Sequence, residues 1–199
     1  MIPENSITEW STHTPWATRA QIEQDLLLGR IASKIGFDSS TELNKIPKFF
    51  MRTRASDGSK IKIKIEINAH ERAFAHPRIR LKHTVTSNWF SSSAEILTFQ
   101  VEEMMATKIR ALYQRRKGRD LFDFWLALNV LNLDPTVIVS SFACYNPGIT
   151  SKQSIANLRE KLLHKDFRLD LSFMLIDLPA GYEIDQAAEE LIEKVLSII

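Results

Sequence analysis

The sequence predicts an α+β protein, with a small mixed sheet from its first half packed against a helical subdomain from its second. Three observations carry that prediction. Ile61, Ile63, Ile65 and Ile67 alternate strictly with Lys60, Lys62, Lys64, Glu66 and Asn68, the period of a strand with one buried and one polar face. After Thr98 the apolar residues recur at helical spacing as far as Ile199. Turn chemistry falls where the pattern changes, at Asp57-Gly58 and at Gly118.

Taken in order, Met1–Pro15 shows little periodicity beyond Ile7 and Trp10 and reads as a surface segment. Ile22, Leu26 and Ile31, with Leu27 and Leu28 alongside, give a helical stripe that Thr18 can cap and Gly36 stops. Asp38–Asn44 is polar and turn-like, and Pro47 reinforces the break. Phe49–Arg54 pairs with the isoleucine strand through the Asp57-Gly58 hairpin turn. Ile79–Leu81 and Ile96–Thr98 are short strands, with Ser91–Ser93 in the loop between them. Thr98 caps a helix over Phe99–Gln114, whose first turns carry Glu102 and Glu103. Beyond Gly118, helices are expected over Asp120–Asn129, Ser151–His164, Phe167–Asp177 and Asp185–Ile199. The last has Ala188, Leu191, Ile192, Val195 and Ile199 on one face.

Composition bounds the function classes. Of 199 residues, 44% are hydrophobic and 25% charged, which is globular, and 26 Lys+Arg against 24 Asp+Glu leaves a net charge of +2. That charge is too small to announce a nucleic-acid partner, so a basic argument has to be local. The apolar runs fall far short of the roughly 20 residues of a membrane span, and Met1–Thr18 has no apolar signal-peptide region. Cys144 stands alone, which excludes an internal disulfide and a multi-cysteine metal site and points to a reducing cytoplasm. The histidines, His13, His70, His76, His83 and His164, have no zinc-ligand spacing, and neither common phosphate-loop motif occurs.

The densest polar cluster runs from Lys108 to Asp123. Met104, Lys108, Ala111 and Arg115 share a helix face, the cations Arg115–Arg119 follow at a glycine break, and Asp120 and Asp123 share a face of the next helix. Cations beside an anion-rich helix start suit a polyphosphate and its metal. The same residues also read as a capped junction, with Asp120 at the N-cap, Asp123 at N3, and the late cations matched to the helix dipole. Glu66, on the polar face of the isoleucine strand, is a metal ligand or base in one reading and a member of cross-strand ion pairs in the other.

Further motifs single out a family. Lys64-Ile-Glu-Ile-Asn68 with Glu71-Arg72, Phe99-Gln-Val-Glu-Glu-Met-Met-Ala-Thr-Lys108, and Ala111-Leu-Tyr-Gln-Arg-Arg-Lys-Gly-Arg-Asp-Leu-Phe-Asp123 resemble the AbiEii/AbiGii-type nucleotidyltransferase toxins. The opening, with Ile2-Pro3, Trp10, Pro15-Trp16 and Gln21-Ile-Glu-Gln-Asp25, is similar too, so the resemblance spans residues 1–35 and 49–199. It implies a polymerase-β-like nucleotidyltransferase fold, membership of a toxin–antitoxin or abortive-infection system, and transfer of nucleotides from NTP with Mg²⁺, in some members onto tRNA. By the same resemblance Glu66 occupies the later-strand acidic position and a metal-ligand role, and Lys108 contacts nucleotide phosphates. Asp120 and Asp123 form the last acidic motif, and Lys108, Arg115 and Arg119 bind the nucleotide.

One departure stands against activity. Between its first helix and the isoleucine-type strand the family carries a Gly-Gly-[Thr/Ser] turn and a strand bearing Asp-x-Asp, whereas Gly36–Pro47 contains neither. Two-metal transfer needs carboxylates bridging ions about 4 Å apart, and a glycine turn supplies the N–H groups that receive phosphate. The expectation is therefore a shortened nucleotidyltransferase toxin, with an α/β part over 1–98, shortened near 36–47, and a helical subdomain over 99–199. Transfer should be impaired, each tenfold loss being about 1.4 kcal/mol of barrier. The alternative is a non-catalytic module that binds a protein such as an antitoxin, or an RNA, through the Lys108–Arg119 surface. A sheet edge left open by the missing strand would also favour a homodimer.

Overall fold

The computed structural model describes residues 2–32, 48–66 and 74–199. Gly36–Pro47, Ile67, Asn68, His70, Glu71 and Arg72 lie outside the described residues, and of Glu66 only the strand position is described. The chain is α+β, as its two periodicities predict: the described residues form eight α-helices and two antiparallel strand pairs, none of them parallel. They fall into two compact units, residues 1–72 with 78–98, and residues 73–77 with 99–199.

In the first unit, helix α1 (Glu4–Ser11) occupies the segment that sequence periodicity left as irregular surface. Two turns are too short to display a repeating stripe, yet Ile7 is buried and Trp10 Nε1 donates to Asp25 Oδ2 at 3.0 Å. Helix α2 (Arg19–Ala32) begins at a reciprocal cap: Thr18 N donates to the Gln21 side-chain oxygen at 2.8 Å, and Gln21 N donates to Thr18 Oγ1 at 3.3 Å. One side of α2 packs Leu26 against Ile2 and Ile7, and Leu27 and Ile31 reach Ile61 and Ile63 of the adjoining hairpin.

That hairpin pairs β1 (Lys48–Arg54) with β2 (Lys60–Glu66), placing Arg52 opposite Lys62 and Met51 opposite Ile63. Its turn has the expected chemistry, with Gly58 at φ 85° and Asp57 Oδ1 accepting from Ser59 N at 2.8 Å. Glu23, buried on α2, fastens the turn by accepting from Ser56 N at 2.9 Å and Ser56 Oγ at 2.6 Å. The second hairpin joins β3 (Ile79–Thr86) to β4 (Ser91–Thr98), and both strands are longer than their sequence suggests. Ser91–Ser93, read as loop, pairs with Thr84–Thr86, and the turn sits at Ser87–Phe90 instead. Small hydroxyl side chains fit a two-stranded ribbon whose partner strand satisfies the backbone.

The second unit is helical: α3 (Val101–Gln114), α4 (Gly118–Asn129), α5 (Pro135–Phe142), α6 (Ser151–Leu162), α7 (Lys165–Arg168) and α8 (Ile184–Lys194), ending in a 3₁₀ turn at Leu196–Ile198. Its core gathers Ile109, Leu121, Phe124, Ile138, Phe142 and Leu191. Several expected boundaries shift. Thr98 does not cap α3, because it is the last residue of β4, opposite Ile79; Gln100 takes the cap position without a side-chain bond. Asp120 is not the N-cap of α4 either, since Lys117 holds that position and Gly118 opens the helix. Helix α5 was not foreseen, although Asp134 accepts from Thr136 N and Pro135 follows it at the first helical position. The helix expected over Phe167–Asp177 shrinks to the single turn of α7. The final helix stops at Lys194, with Leu191, Ile192 and Val195 buried as its apolar face requires.

Candidate functional site

Helices α3 and α4 meet at the Arg115–Lys117 linker, where Arg115 and Lys117 are both extended. Extended backbone at the linker brings the start of α4 back beside the last turns of α3. Gly118 allows a further contact: a Cβ there would stand 2.1 Å from the carbonyl oxygen of Phe167, so only glycine admits the α7 backbone.

Asp120, three residues into α4, is fully buried at 0% exposure. Arg115 forks onto it, Nε to Oδ2 at 2.7 Å and Nη2 to Oδ1 at 2.6 Å. That hydrogen bond holds the Arg115 guanidinium above the ordinary arginine pKa. Lys108 Nζ bridges the two acids, 3.4 Å from Asp120 Oδ1 and 2.5 Å from Asp123 Oδ2. The structure thus brings together Lys108, Arg115, Asp120 and Asp123, two cations and two anions in one closed network.

Arg119 does not join it. Its backbone N donates to Asp170 Oδ2 at 3.2 Å, its guanidinium lies 3.8 Å from the same oxygen, and Lys117 Nζ lies 3.6 Å from Asp170 Oδ1. Glu66 lies at the end of β2 in the first unit, opposite Lys48, whereas the other five candidates lie in the second unit.

Sequence reasoning missed Asp170, which sits in a stretch read as helix, and Lys161, which sits on α6. The signal for Lys161 was present: three residues beyond Leu158, it falls on the helix face that packs inward. Its buried ammonium donates to the carbonyls of Leu112 and, at 2.8 Å, of Tyr113, closing the C-terminal end of α3. Burial lowers the amine to about 8.

Another buried acid, Glu103, accepts from Ala75 N at 2.8 Å, His76 N at 3.3 Å and the Tyr145 hydroxyl. His76 Nε2 lies 2.8 Å from Ser141 Oγ. The trio resembles a nucleophile with its base only on paper. Ser141 Oγ is buried and donates to Val137 O, and Glu103 meets the backbone of His76, so nothing activates the hydroxyl.

The Asp120-centred network can exchange one partner and not the other. Asp123 and Lys108 are each 34% exposed, and an exposed pair is worth less than about 1 kcal/mol. An incoming phosphate can therefore capture Lys108, while the buried Arg115–Asp120 fork stays fixed. Mg²⁺ fits the described residues poorly, because Asp120 and Asp123 already face cations and no group of three or more His, Cys, Asp or Glu among the described residues could hold a metal. Among the described residues no helix is long and apolar enough to cross a membrane.

A model of the family described as "Nucleotidyl transferase AbiEii toxin, Type IV TA system" matches residues 18–194. No curated protein and no solved structure gives a match.

Proposed function

Because the chain belongs to the AbiEii nucleotidyltransferase toxin family of type IV toxin–antitoxin systems, we propose that it is a shortened toxin of this kind, with a cognate antitoxin protein and impaired nucleotide transfer. The observation that carries the reading is the convergence of Lys108, Arg115, Asp120 and Asp123 across the α3–α4 junction. Within it, Arg115 positions Asp120, and Lys108 is the cation that an NTP phosphate would draw from Asp123. The acceptor in an active chain would be an RNA such as tRNA. Impairment follows from the sequence: without Gly-Gly and Asp-x-Asp between the first helix and β1, neither the phosphate-receiving turn nor the carboxylate pair for two Mg²⁺ is present.

The test is purified protein with Mg²⁺ and each labelled NTP, with and without tRNA. The expected result is transfer several orders of magnitude below that of a relative with both motifs. Robust transfer that Glu66→Ala or Asp120→Ala abolishes would overturn impairment.

One observation favours a second reading, a non-catalytic module using the same junction: Lys108, Arg115, Lys117 and Arg119 remain between 34% and 49% exposed beside their acids. Binding of RNA there should weaken steeply with salt, whereas a protein partner on apolar helix faces should resist salt. A homodimer through the edge of β1 is a separate expectation, and a monomeric mass by light scattering excludes it.

A further inference from the structure

We propose that the exposed face of the β1–β2 hairpin is a docking site for single-stranded nucleic acid. Cross-strand neighbours on this face are Phe50 with Lys64, Arg52 with Lys62, and Arg54 with Lys60, and all six side chains are exposed. Like charges directly opposite one another destabilise a strand pair. The same chain avoids them elsewhere, setting Lys82 opposite Glu95 in the other hairpin. Residues 50–64 carry Arg52, Arg54, Lys60, Lys62 and Lys64 against Asp57, a net 5 − 1 = +4, while the whole chain has only +2. The remaining 184 residues therefore sum to 2 − 4 = −2. The charge is concentrated on one ribbon.

Little on that ribbon neutralises it. Among the described residues no carboxylate pairs with Arg52, Lys60 or Lys62; the ion pairs of this unit are Arg19 with Glu4 and Arg19 with Glu23. Asp57 is occupied in the turn, and Arg54 donates to Gly58 O at 3.2 Å without losing its charge. Phe50 draws the cations together: Lys62 Nζ lies 4.4 Å and Arg52 Cζ 5.6 Å from its ring centroid, and the ring is still 43% exposed.

The chemistry that relieves this face is a regular polyanion with flat apolar groups. Alternate residues of a strand repeat at about 6.7 Å, which gives two parallel rows of cations to follow a phosphate backbone. An exposed aromatic at the end of those rows offers a base a surface to stack on, and stacking requires an unpaired strand. An acidic protein would satisfy the charge but would have no use for the ring. The inference stands whether or not the chain transfers nucleotides, and its residues are distinct from the α3–α4 junction.

Fluorescence anisotropy on the full chain, with labelled 20-nucleotide oligo-U and oligo-dT and neither Mg²⁺ nor NTP, tests it. Both strands should bind at low salt with a log–log salt slope near −3, from about four phosphates at about 0.7 each. Arg52→Ser with Lys62→Ser should weaken binding at least tenfold and flatten the slope by about one. Phe50→Ser should cost about tenfold, the low range of one stacked base. Lys62→Glu separates binding from folding: set opposite Arg52 it should hold or raise the melting temperature while binding is lost. No binding at 20 mM salt, or binding untouched by the Arg52/Lys62 changes, overturns the proposal. Displacement by polyglutamate as efficient as by oligonucleotide, with Phe50→Ser silent, assigns the face to an acidic protein and overturns it equally.

Discussion

Asp120 and Asp123 stand three residues apart on α4 and contact the same ammonium, yet their burial sets them different roles. Asp120→Ala strands Arg115 and Lys108 beside a vacated interior position and should cost on the order of 2–3 kcal/mol. Asp123→Ala removes a one-third-exposed pair and should cost less than about 1 kcal/mol. Chemical denaturation of the two variants checks the contrast, and equal losses would refute it. Lys161 gives a pH signature. Its amine titrates near 8 in the folded chain against 10.5 ordinarily, so between those values the unfolded chain binds more protons. Stability lost to ionising this buried amine below pH 8 should return as pH rises from 8 towards 10.5. Measured against Lys161→Met over that window, the native chain should gain; a flat difference would show the amine to be solvated. Spacing alone made Lys108, Arg115, Asp120 and Asp123 legible as neighbours, since helical periodicity fixes which residues share a face. It could not pair Arg119 with Asp170, whose sequence separation is 51 residues.

At the scale of elements, the strict alternation from Lys60 onward was read without error as far as it is described, because one buried and one wet face leave an unmistakable period. Helix α5 was missed for the opposite reason: Pro135–Phe142 is apolar on nearly every side, so no stripe stands out even though Asp134-Pro135 marks its start. The serine strand and the shortened α7 show tertiary pairing overriding local composition. Gly118 belongs at this scale, because it sets how closely α7 approaches α4. Helix propensity alone makes Gly118→Ala favourable by about 1 kcal/mol. The 2.1 Å approach to Phe167 O reverses the sign, and a net loss of about 2 kcal/mol is expected in thermal or urea unfolding. A stabilised Gly118→Ala variant would mean that α7 yields freely.

For the whole molecule, two periodicities predicted the α+β class and the motifs around Lys108–Asp123 predicted the family. Activity turns on what the sequence leaves out. Grafting a relative's Gly-Gly…Asp-x-Asp segment between residues 35 and 48 should raise NTP transfer by several orders of magnitude, each tenfold being about 1.4 kcal/mol of barrier. The gain should vanish on changing either grafted aspartate to alanine. A graft that folds and stays inactive would place the defect elsewhere and favour the non-catalytic module. Residues 73–77 could not have been assigned from sequence, because they join a helical unit whose other members begin only at Phe99.

Ala75 and His76 are gripped there by Glu103, which also holds Tyr145. On a translating ribosome this piece of chain is made 145 − 75 = 70 residues before the last part of its socket. At about 5–20 residues per second it waits roughly 4 to 14 s for Tyr145 to be synthesised. Through that interval the β3–β4 hairpin is built while the stretch ahead of it still has no seat, so the helical unit closes around a strap laid down in advance.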